Sequence, residues 1–415
     1  MGTISFADFA EANPKVSLKK DEVFPFVDMA AVTPGQRYVK ASEERPFKGG
    51  SSKFQTGDTL FARITPCLEN GKIAQFIGAT DDTVGFGSTE FFVFRARDGV
   101  SDSAYLYYLC QTDELRKPAE KSMAGASGRQ RADLNSVLTV EVSCPPLSTQ
   151  RKIASILSAY DDLIENNTRR IAILEEMAQA IYREWFVNFR FPGHENVKLV
   201  QSTLGMIPEG WKATTVGDLA VNERRSVNPQ EVDSETPYVG LEHIPRKSIT
   251  LSEWGLASEI ESTKHRFFEG EILFGKIRPY FHKVVVAPFD GICSSDAIVI
   301  VPRDHDYFPA LLCCVSSVPF VDHATQTSQG TKMPRANWDV LTKYSSPLPP
   351  SDLLRRFNEV VTDIVCTLKT LMLKNVNLRT TRDLLLPKLI SGQLDVEELE
   401  IDLGMTSEAL EEATG

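Results

Sequence analysis

A chain of 415 residues is too long for one ordinary domain, and its length predicts two to four domains. Its hydrophobic content of 42% and charged content of 24% are those of a soluble globular protein, and no apolar run is long enough to predict a membrane-spanning helix. The net charge of −11 argues against a nucleic-acid ligand at first sight, but residues 393–415 hold eight acidic and no basic residues, which leaves −3 for the remainder. Total charge therefore neither supports nor excludes DNA as a ligand.

The termini and cysteines indicate the compartment. Residues 1–8 contain neither a basic nor an apolar signal region, so we expect no secretory signal and a cytoplasmic protein. The seven cysteines are scattered and form no CxxC motif, which predicts free buried thiols in a reducing environment.

Residues 1–147 are predicted to form a first globular domain of short strands and turns. Strand-type runs occur at 73–77 and 91–94, and a helix is expected at 103–112, so the class is α+β. Two prolines, Pro145 and Pro146, then end the domain, because proline terminates a strand and can open a helix.

A long helix is predicted for residues 148–190. Its apolar residues recur at spacings of three and four over about five heptads, which is typical of a coiled coil. The predicted seam consists of Ile153, Leu157, Tyr160, Ile164, Asn167, Ile171, Leu174 and Ile181.

The second half of the chain follows the same order. Residues 191–347 are predicted to form a linker and a second domain, with strand-type runs at 283–287 and 297–301 and a helix at 307–316. A second long helix follows at 348–392, and the acidic tail at 393–415 is expected to be a loose segment or a docking peptide. The predicted seam of this helix consists of Phe357, Val361, Ile364, Leu368, Leu371, Leu378 and Leu385.

Two helices of this length most simply pack on each other, because a lone apolar stripe would expose a large apolar surface. Asn167 and Asn375 in the seam would cost stability and set the register of the pair. The alternative is that each helix docks on its own domain as a core element.

An internal repeat is the most informative feature of the sequence. Five segments match in the same order along both halves, at an offset of about 203 to 213 residues, so we infer a duplicated domain. The matching segments are 6–10 with 216–220, 25–27 with 237–239, 57–66 with 270–279, 137–139 with 340–342, and 151–153 with 355–357.

No catalytic, cofactor or metal site is predicted. Residues 270–276 fit the GxxxxGK pattern of a phosphate-binding loop, but Ile277 stands where a hydroxyl must reach Mg²⁺, so we interpret the segment as a strand. Histidines are spread through the second copy without an HxH or HExxH arrangement. Ser88-Thr89-Glu90 and Ser295-Asp296-Ala297 occupy equivalent places in the two copies but lack the glycines of a nucleophile elbow.

Basic residues beside turns recur in both copies and predict DNA contacts. Arg63 corresponds to Lys276, Lys72 lies near the position of Lys283, and glycine-containing basic loops occur at 125–131 and 328–335. Arginine and glutamine can read guanine and adenine edges, and lysine can contact phosphates. The candidate DNA-binding residues are Arg63, Lys72, Arg129, Gln130, Arg131, Lys276, Arg278, Lys283, Gln329, Lys332 and Arg335.

The duplicated order of domain, proline hinge and long helix resembles the specificity subunit of Type I restriction-modification enzymes. The resemblance covers essentially the whole chain and depends most on Pro-Leu-x-x-Gln-x-x-Ile at 146–153, Ile-Pro-Glu-Gly-Trp at 207–211 and Pro-Lys-Leu-Ile-Ser-Gly at 387–392. The first copy departs from the pattern because it lacks a counterpart of residues 208–211.

The resemblance implies a non-catalytic subunit with two target recognition domains. Each domain would read one half of a bipartite, asymmetric site in double-stranded DNA, and the helices would form an antiparallel coiled coil that sets the spacer. Two methyltransferase subunits would bind the chain, restriction subunits would join them, and no cofactor would bind the chain itself. No membrane association is expected.

Two alternatives belong to other classes. One is a coiled-coil scaffold that binds proteins and no DNA. The other is a stand-alone enzyme, such as a methyltransferase with an unrecognised site.

Overall fold

The computed structural model describes residues 2–126, 128–397 and 399, and the chain divides into two compact units. Unit 1 comprises Met1–Glu165 and Asn377–Gly415, and unit 2 comprises Asn166–Val376. Each unit therefore takes one globular domain and part of both long helices. The domain and helix boundaries predicted from the sequence divide the chain differently, and they stay a prediction about its functional parts. Most of the predicted acidic tail lies outside the described residues.

Unit 1 contains a mixed α+β domain, followed by the start of the first long helix. Its elements are β1 Gly2–Ser5, α1 Phe6–Phe9, β2 Ala10–Ala12, β3 Val23–Val27, β4 Tyr38–Val39, β5 Glu43–Pro46, β6 Ser52–Gln55, β7 Thr59–Ala62, β8 Ile73–Phe76, β9 Val84–Gly87, β10 Phe91–Ala96, α2 Ser103–Gln111, α3 Asp113–Lys121, α4 Leu134–Leu138, β11 Glu141–Cys144 and α5 Leu147–Tyr182. The sheets have the orders β2-β10-β7-β8-β4 and β5-β3-β9-β6, and β1 pairs with β11.

The second domain repeats these elements within unit 2. After a π-helical turn at Arg183–Val187, they are β12 Leu199–Ser202, β13 Gly205–Pro208, β14 Lys212–Thr215, α6 Val216–Leu219, β15 Ala220–Asn222, β16 Arg225–Val227, β17 Pro237–Val239, β18 Gly255–Leu256, β19 Lys264–Phe267, β20 Ile272–Gly275, β21 Val284–Val286, β22 Gly291–Cys293, β23 Ala297–Pro302, α7 Phe308–Val315, α8 Val318–Gln326, α9 Trp338–Leu341, β24 Ser345–Leu348 and α10 Ser351–Ile390. The sheets have the orders β15-β23-β20-β21 and β16-β19-β22-β17-β18, and β14 pairs with β24.

The shared topology confirms the predicted α+β repeat. Strand β7 of the first domain lies between β8 and β10, and β20 of the second lies in the same way between β21 and β23. Both β10 and β23 lead into a helix pair, α2 and α3 in the first domain and α7 and α8 in the second. The predicted helices at 103–112 and 307–316 form as α2 and α7. Strand β1 forms the same pairing as β14, although no counterpart of residues 208–211 precedes it.

Strand β10, which lies between β2 and β7, contributes side chains to two hydrophobic clusters. Because side chains alternate across a strand, Phe92 and Phe94 lie in the cluster that includes α2, whereas Phe91 and Val93 lie in the cluster around β3 and β6. All four side chains are buried. The apolar run therefore predicts a strand covered on both faces, and this is the strand that the sequence indicates at 91–94.

The two long helices run antiparallel within each unit. In unit 2, Asn167 of α5 lies against Asn375 of α10, and Phe186 lies 4.8 Å from Phe357 between ring centroids. In unit 1, Asp161 of α5 is paired with Arg382 of α10. The predicted packing of the helices on each other is confirmed.

The helix ends also belong to the domain cores, as the alternative interpretation expected. Ile153 and Leu157, near the start of α5, are buried in one cluster with Tyr105 of α2 in unit 1. Tyr182 of α5 and Phe186 of the π-helical turn belong to the core of unit 2. The helices are thus both partners of each other and core elements of the domains.

Two further expectations concern cysteines and membranes. Cys110, Cys293, Cys313 and Cys314 are buried and free, and Cys67 and Cys144 are free but only partly buried. The expectation of burial is wrong for Cys366, which is exposed on α10. Among the described residues, no single helix has the length and apolar composition to cross a membrane. One bent pair, His305–Val315 with Val318–Gln326, passes that test only when its two segments are taken together.

Candidate nucleic-acid interface

A basic loop is held against the end of strand β7 in unit 1. Loop 1 (the described residues 124–126 and 128–131) closes through backbone hydrogen bonds between Ala124 and Arg131 at 3.0 and 3.1 Å. It docks where the amide of Ala132 donates to the carbonyl of Arg63 at 2.8 Å. Gly125 is required in this loop, because its φ is +133° and a Cβ would lie 3.2 Å from the carbonyl oxygen of Arg129.

The carboxylate of Glu90 joins the loop to the sheet. Arg131 Nε donates to Glu90 Oε2 at 2.9 Å and Arg131 Nη2 donates to Glu90 Oε1 at 2.5 Å, so the pair is bidentate. Arg63 Nε donates to the same Oε2 at 3.3 Å. These hydrogen bonds, that of Arg131 above all, hold the pKa of Glu90 below its ordinary value.

Unit 2 repeats this arrangement with different side chains. Loop 2 (residues 329–335) closes through hydrogen bonds between the backbones of Gln329 and Arg335, and the amide of Ala336 donates to the carbonyl of Lys276 at 2.8 Å. Asp296 takes the place of Glu90. Its Oδ1 lies 3.5 Å from Lys276 Nζ and 3.9 Å from Arg335 Nη2.

A pocket lies beside each of these clusters. In unit 1 the pocket has a volume of about 750 Å³, and its lining includes Lys15, Lys53 and Arg63. In unit 2 the corresponding pocket has a volume of about 540 Å³. Its basic and amide-bearing lining residues are Arg224, His265, Lys276, Gln329 and Arg335. Each domain therefore presents a basic concavity next to its loop, which suits a polyanionic ligand.

His265 is a distinctive part of the second pocket. Its Nδ1 is buried and has no hydrogen-bond partner among the described residues. Burial lowers the pKa of His265, and the nearby charges of Lys276 and Arg224 lower it further. The ring is therefore held neutral, with one nitrogen able to accept a hydrogen bond.

The remaining predicted DNA-binding residues fall into two groups. Arg129 and Lys332 are exposed on the loops, while Gln130 and Arg278 are half-buried beside them. Lys72 and Lys283 are half-buried at equivalent places just before β8 and β21.

Lys72 and Lys283 serve as ties inside their domains. Lys72 Nζ donates to the carbonyl of Met29 at 2.9 Å, and Lys283 Nζ donates to the carbonyl of Leu241. Burial lowers the pKa of Lys283. Both lysines therefore have a structural role that the sequence did not indicate, and the loop residues are the stronger candidates for DNA.

Sequence reasoning did not select the carboxylates Glu90 and Asp296 or the pocket residues Lys15, Lys53 and Arg224. One signal was available, since each carboxylate lies within one of the matching tripeptides at 88–90 and 295–297. The pocket residues carry no comparable signal, because they come from separate turns that only the fold brings together.

The predicted seam residues all lie at least partly inside the structure. Asn167 Nδ2 donates to Asn375 Oδ1 at 2.9 Å, and Asn375 Nδ2 donates to Thr168 Oγ1 at 3.2 Å, so the polar seam position is satisfied. The buried members are Ile153, Leu157, Ile164, Asn167, Phe357, Val361, Ile364, Leu368 and Leu371. The half-buried members are Tyr160, Ile171, Leu174, Ile181, Leu378 and Leu385.

Polar contacts attach each domain to the helices. In unit 1, the buried Asp161 of α5 accepts from the hydroxyl of Tyr108 at 2.6 Å and pairs with Arg382 of α10. In unit 2, Glu175 of α5 accepts from the hydroxyls of Ser248 and Thr250 at 2.7 and 2.8 Å. The mutual position of domain and helix is therefore set by buried hydrogen bonds in unit 1 and by partly buried ones in unit 2.

The combination of a duplicated α+β domain, antiparallel long helices and a basic concavity in each copy defines a class of protein that presents two related binding surfaces. Comparison with known proteins shows which proteins the chain resembles. The family model described as "Type I restriction modification DNA specificity domain" matches residues 7–176.

Individual relatives agree with this match. The Type I restriction enzyme MjaIX specificity subunit of Methanocaldococcus jannaschii is 28% identical over 73% of this chain and 71% of its own. The HindI specificity subunit of Haemophilus influenzae is 24% identical over 86% of this chain and 91% of its own. The crystal structure of the Type I restriction-modification S subunit from M. genitalium covers 94% of this chain and 96% of its own at 15% identity, with a TM-score of 0.54, and so shares the fold. The chain is thus similar, over most of its length, to specificity subunits of Type I restriction enzymes.

Proposed function

We propose that this chain selects the DNA sequence for a Type I restriction-modification complex, with each domain reading one half of a bipartite, asymmetric site in double-stranded DNA. One observation carries the proposal. The same cluster of a carboxylate and two basic side chains lies beside a basic pocket in both domains, but the side chains differ between the copies. A shared backbone arrangement that carries different side chains suits the recognition of two different half-sites.

The loops are the parts that would enter the major groove. Arginine can bind guanine through two parallel hydrogen bonds, and glutamine can bind adenine in the same way, so Arg131, Arg335 and Gln329 are proposed to read bases. Lys15, Lys53 and Lys332 are proposed to contact phosphates and orient each domain without adding sequence information. Segments 1–147 and 191–347 would be the two target recognition domains.

The long helices, predicted at 148–190 and 348–392, are proposed to set the distance between half-sites and to bind two methyltransferase subunits. Part of their surface is suited to a protein partner. In unit 2, Ile173 and Met177 of α5 and Val360 and Leu373 of α10 are between 39% and 50% exposed. In the full complex, restriction subunits would join. The partners would supply the chemistry, and this non-catalytic chain would act with them in the cytoplasm.

The decisive experiment is co-expression with candidate methyltransferase subunits, followed by sequencing of the host DNA for methylated adenines. The wild-type chain should direct methylation to one bipartite site. Arg131→Ala should lower the discrimination against wrong bases in one half-site by about 5- to 150-fold. Arg335→Ala should lower it by a similar factor in the other half-site.

Lys369→Ala is a suitable control, because Lys369 lies on α10, pairs with Glu269 and is part of neither loop. It should leave both half-sites unchanged. Methylation without a bipartite consensus would overturn the proposal. Retention on duplex DNA that does not weaken with salt would instead favour a protein-binding scaffold.

A further inference from the structure

The arginine of loop 1 is held in one orientation by its carboxylate partner. Glu90 engages Arg131 through Nε and Nη2, which uses one side of the guanidinium fork. A guanidinium has five N–H donors, so the Nη1 side remains available for a second bidentate partner. The Arg131 side chain is 49% exposed, and that side can therefore reach a ligand outside the protein.

The arginine of loop 2 is not held in this way. Asp296 has one methylene fewer than Glu90, and its Oδ1 lies 3.9 Å from Arg335 Nη2, which is beyond hydrogen-bonding distance. Its nearer contact is Lys276 Nζ, at 3.5 Å.

The backbone frame does not cause the difference between the two arginines. The amide following each arginine donates to the carbonyl of the basic residue at the end of the adjacent strand at 2.8 Å, from Ala132 to Arg63 and from Ala336 to Lys276. Both loops are thus docked equally. The difference lies in the reach of the carboxylate side chain.

From this contrast we propose that Glu90 is a positioning residue that presets Arg131 to bind a guanine, and that Asp296 leaves Arg335 able to turn between partners. The physical reason is side-chain entropy. A preset guanidinium loses little freedom on binding, and it favours the one base edge that matches its orientation, whereas a mobile one can adapt to several acceptors. The first domain should therefore discriminate more sharply than the second at the base contacted by its loop arginine. This inference rests on the proposed function.

The test uses the full chain in the DNA-binding assembly that the co-expression experiment provides, with a pool of duplexes randomised in both half-sites as the probe. The wild-type assembly must first select a bipartite sequence; failure at this step counts against the proposed function itself. Glu90→Gln, which removes the charge and keeps the size, should then reduce the preference for guanine at one position of one half-site about 10-fold. The other half-site should stay unchanged.

A double-variant cycle separates positioning from simple structural support. Arg131→Lys keeps the charge but removes the planar guanidinium, so it should reduce the preference for guanine at the same position as Glu90→Gln does. Adding Glu90→Gln to Arg131→Lys should then have no further effect, because both act through one contact. Additive losses, or losses in both half-sites, would overturn the inference.

The second domain offers a gain-of-function test that does not depend on the folding of the Glu90 variant. Asp296→Glu lengthens the carboxylate so that it can reach the fork of Arg335, and it should sharpen one position of the second half-site by several-fold. Asp296→Asn is the matched control and should not sharpen it. Unchanged or weaker preference in the Asp296→Glu variant would contradict the proposal.

Discussion

The buried ion pair between Arg382 and Asp161 gives the sharpest test of how unit 1 is held together. The Arg382 side chain is 10% exposed and that of Asp161 is 4% exposed. Arg382 Nη1 also donates to the carbonyl of Gly35 at 3.0 Å, so one side chain of α10 links α5 to a loop of the first domain. Arg382→Ala would remove these contacts and leave the Asp161 carboxylate in the interior with the Tyr108 hydroxyl as a donor.

The expected cost follows from the fate of the remaining charge. Removing one partner of a buried ion pair costs about 3–5 kcal/mol, because the other charge stays desolvated. The pair of Lys369 and Glu269 is a matched control on the same helix, with side chains 34% and 59% exposed. Solvent screens such a pair, so Lys369→Ala should cost only about 0–1 kcal/mol.

The assay must report on unit 1. All four tryptophans, at positions 185, 211, 254 and 338, lie in unit 2, so their fluorescence does not report on the first domain. Amide hydrogen exchange in α2, which carries Tyr108, gives the free energy of opening in unit 1. A loss of less than about 1 kcal/mol in Arg382→Ala would refute the reasoning. Replacement of Arg382 and Asp161 by leucine together should recover most of the loss.

Three further predictions concern the helix seam, the tail and the loop. Asn167→Leu should cost about 1–3 kcal/mol, because it removes the amide that donates to the Oδ1 of the buried Asn375. Leucine at both positions should recover stability in urea unfolding followed by tryptophan fluorescence, and a neutral single variant would contradict this. Val396→Ala should lower the free energy of opening of unit 1, measured by hydrogen exchange, by about 1–3 kcal/mol, because Val396 is 3% exposed and belongs to the core of that unit. Leu399 is 48% exposed, so Leu399→Ala should be neutral. Equal effects of the two variants would argue against docking of the tail. The pKa of Glu90 is lowered in the folded protein, so the ionised Glu90 stabilises the fold at pH values above its ordinary pKa of 4.5, and this stabilisation is lost as pH falls through the folded pKa. The difference in melting temperature between wild type and Glu90→Gln should therefore shrink on acidification. A difference that stays constant with pH would count against the ion pairs.

The sequence alone determined the features that depend on local or periodic patterns. Matching segments in both halves indicated the repeated domain, and the spacing of apolar residues in α5 and α10 indicated two long helices with Asn167 and Asn375 inside the seam. Side-chain alternation in a strand and the 3.6-residue period of a helix are properties of neighbouring residues, so they can be read without knowledge of the fold. The glycines of the loops were visible for the same reason.

Tertiary structure alone decided which of these residues meet. Arg131 and Glu90 are 41 residues apart in sequence, and Arg382 and Asp161 are 221 residues apart. No local pattern distinguishes Glu90 from other acidic residues, or shows that Lys72 is tied to a backbone carbonyl. Such pairings depend on how the sheets and helices bring distant segments together, and a difference of one methylene between Glu90 and Asp296 acquires meaning only when the position of the facing arginine is known.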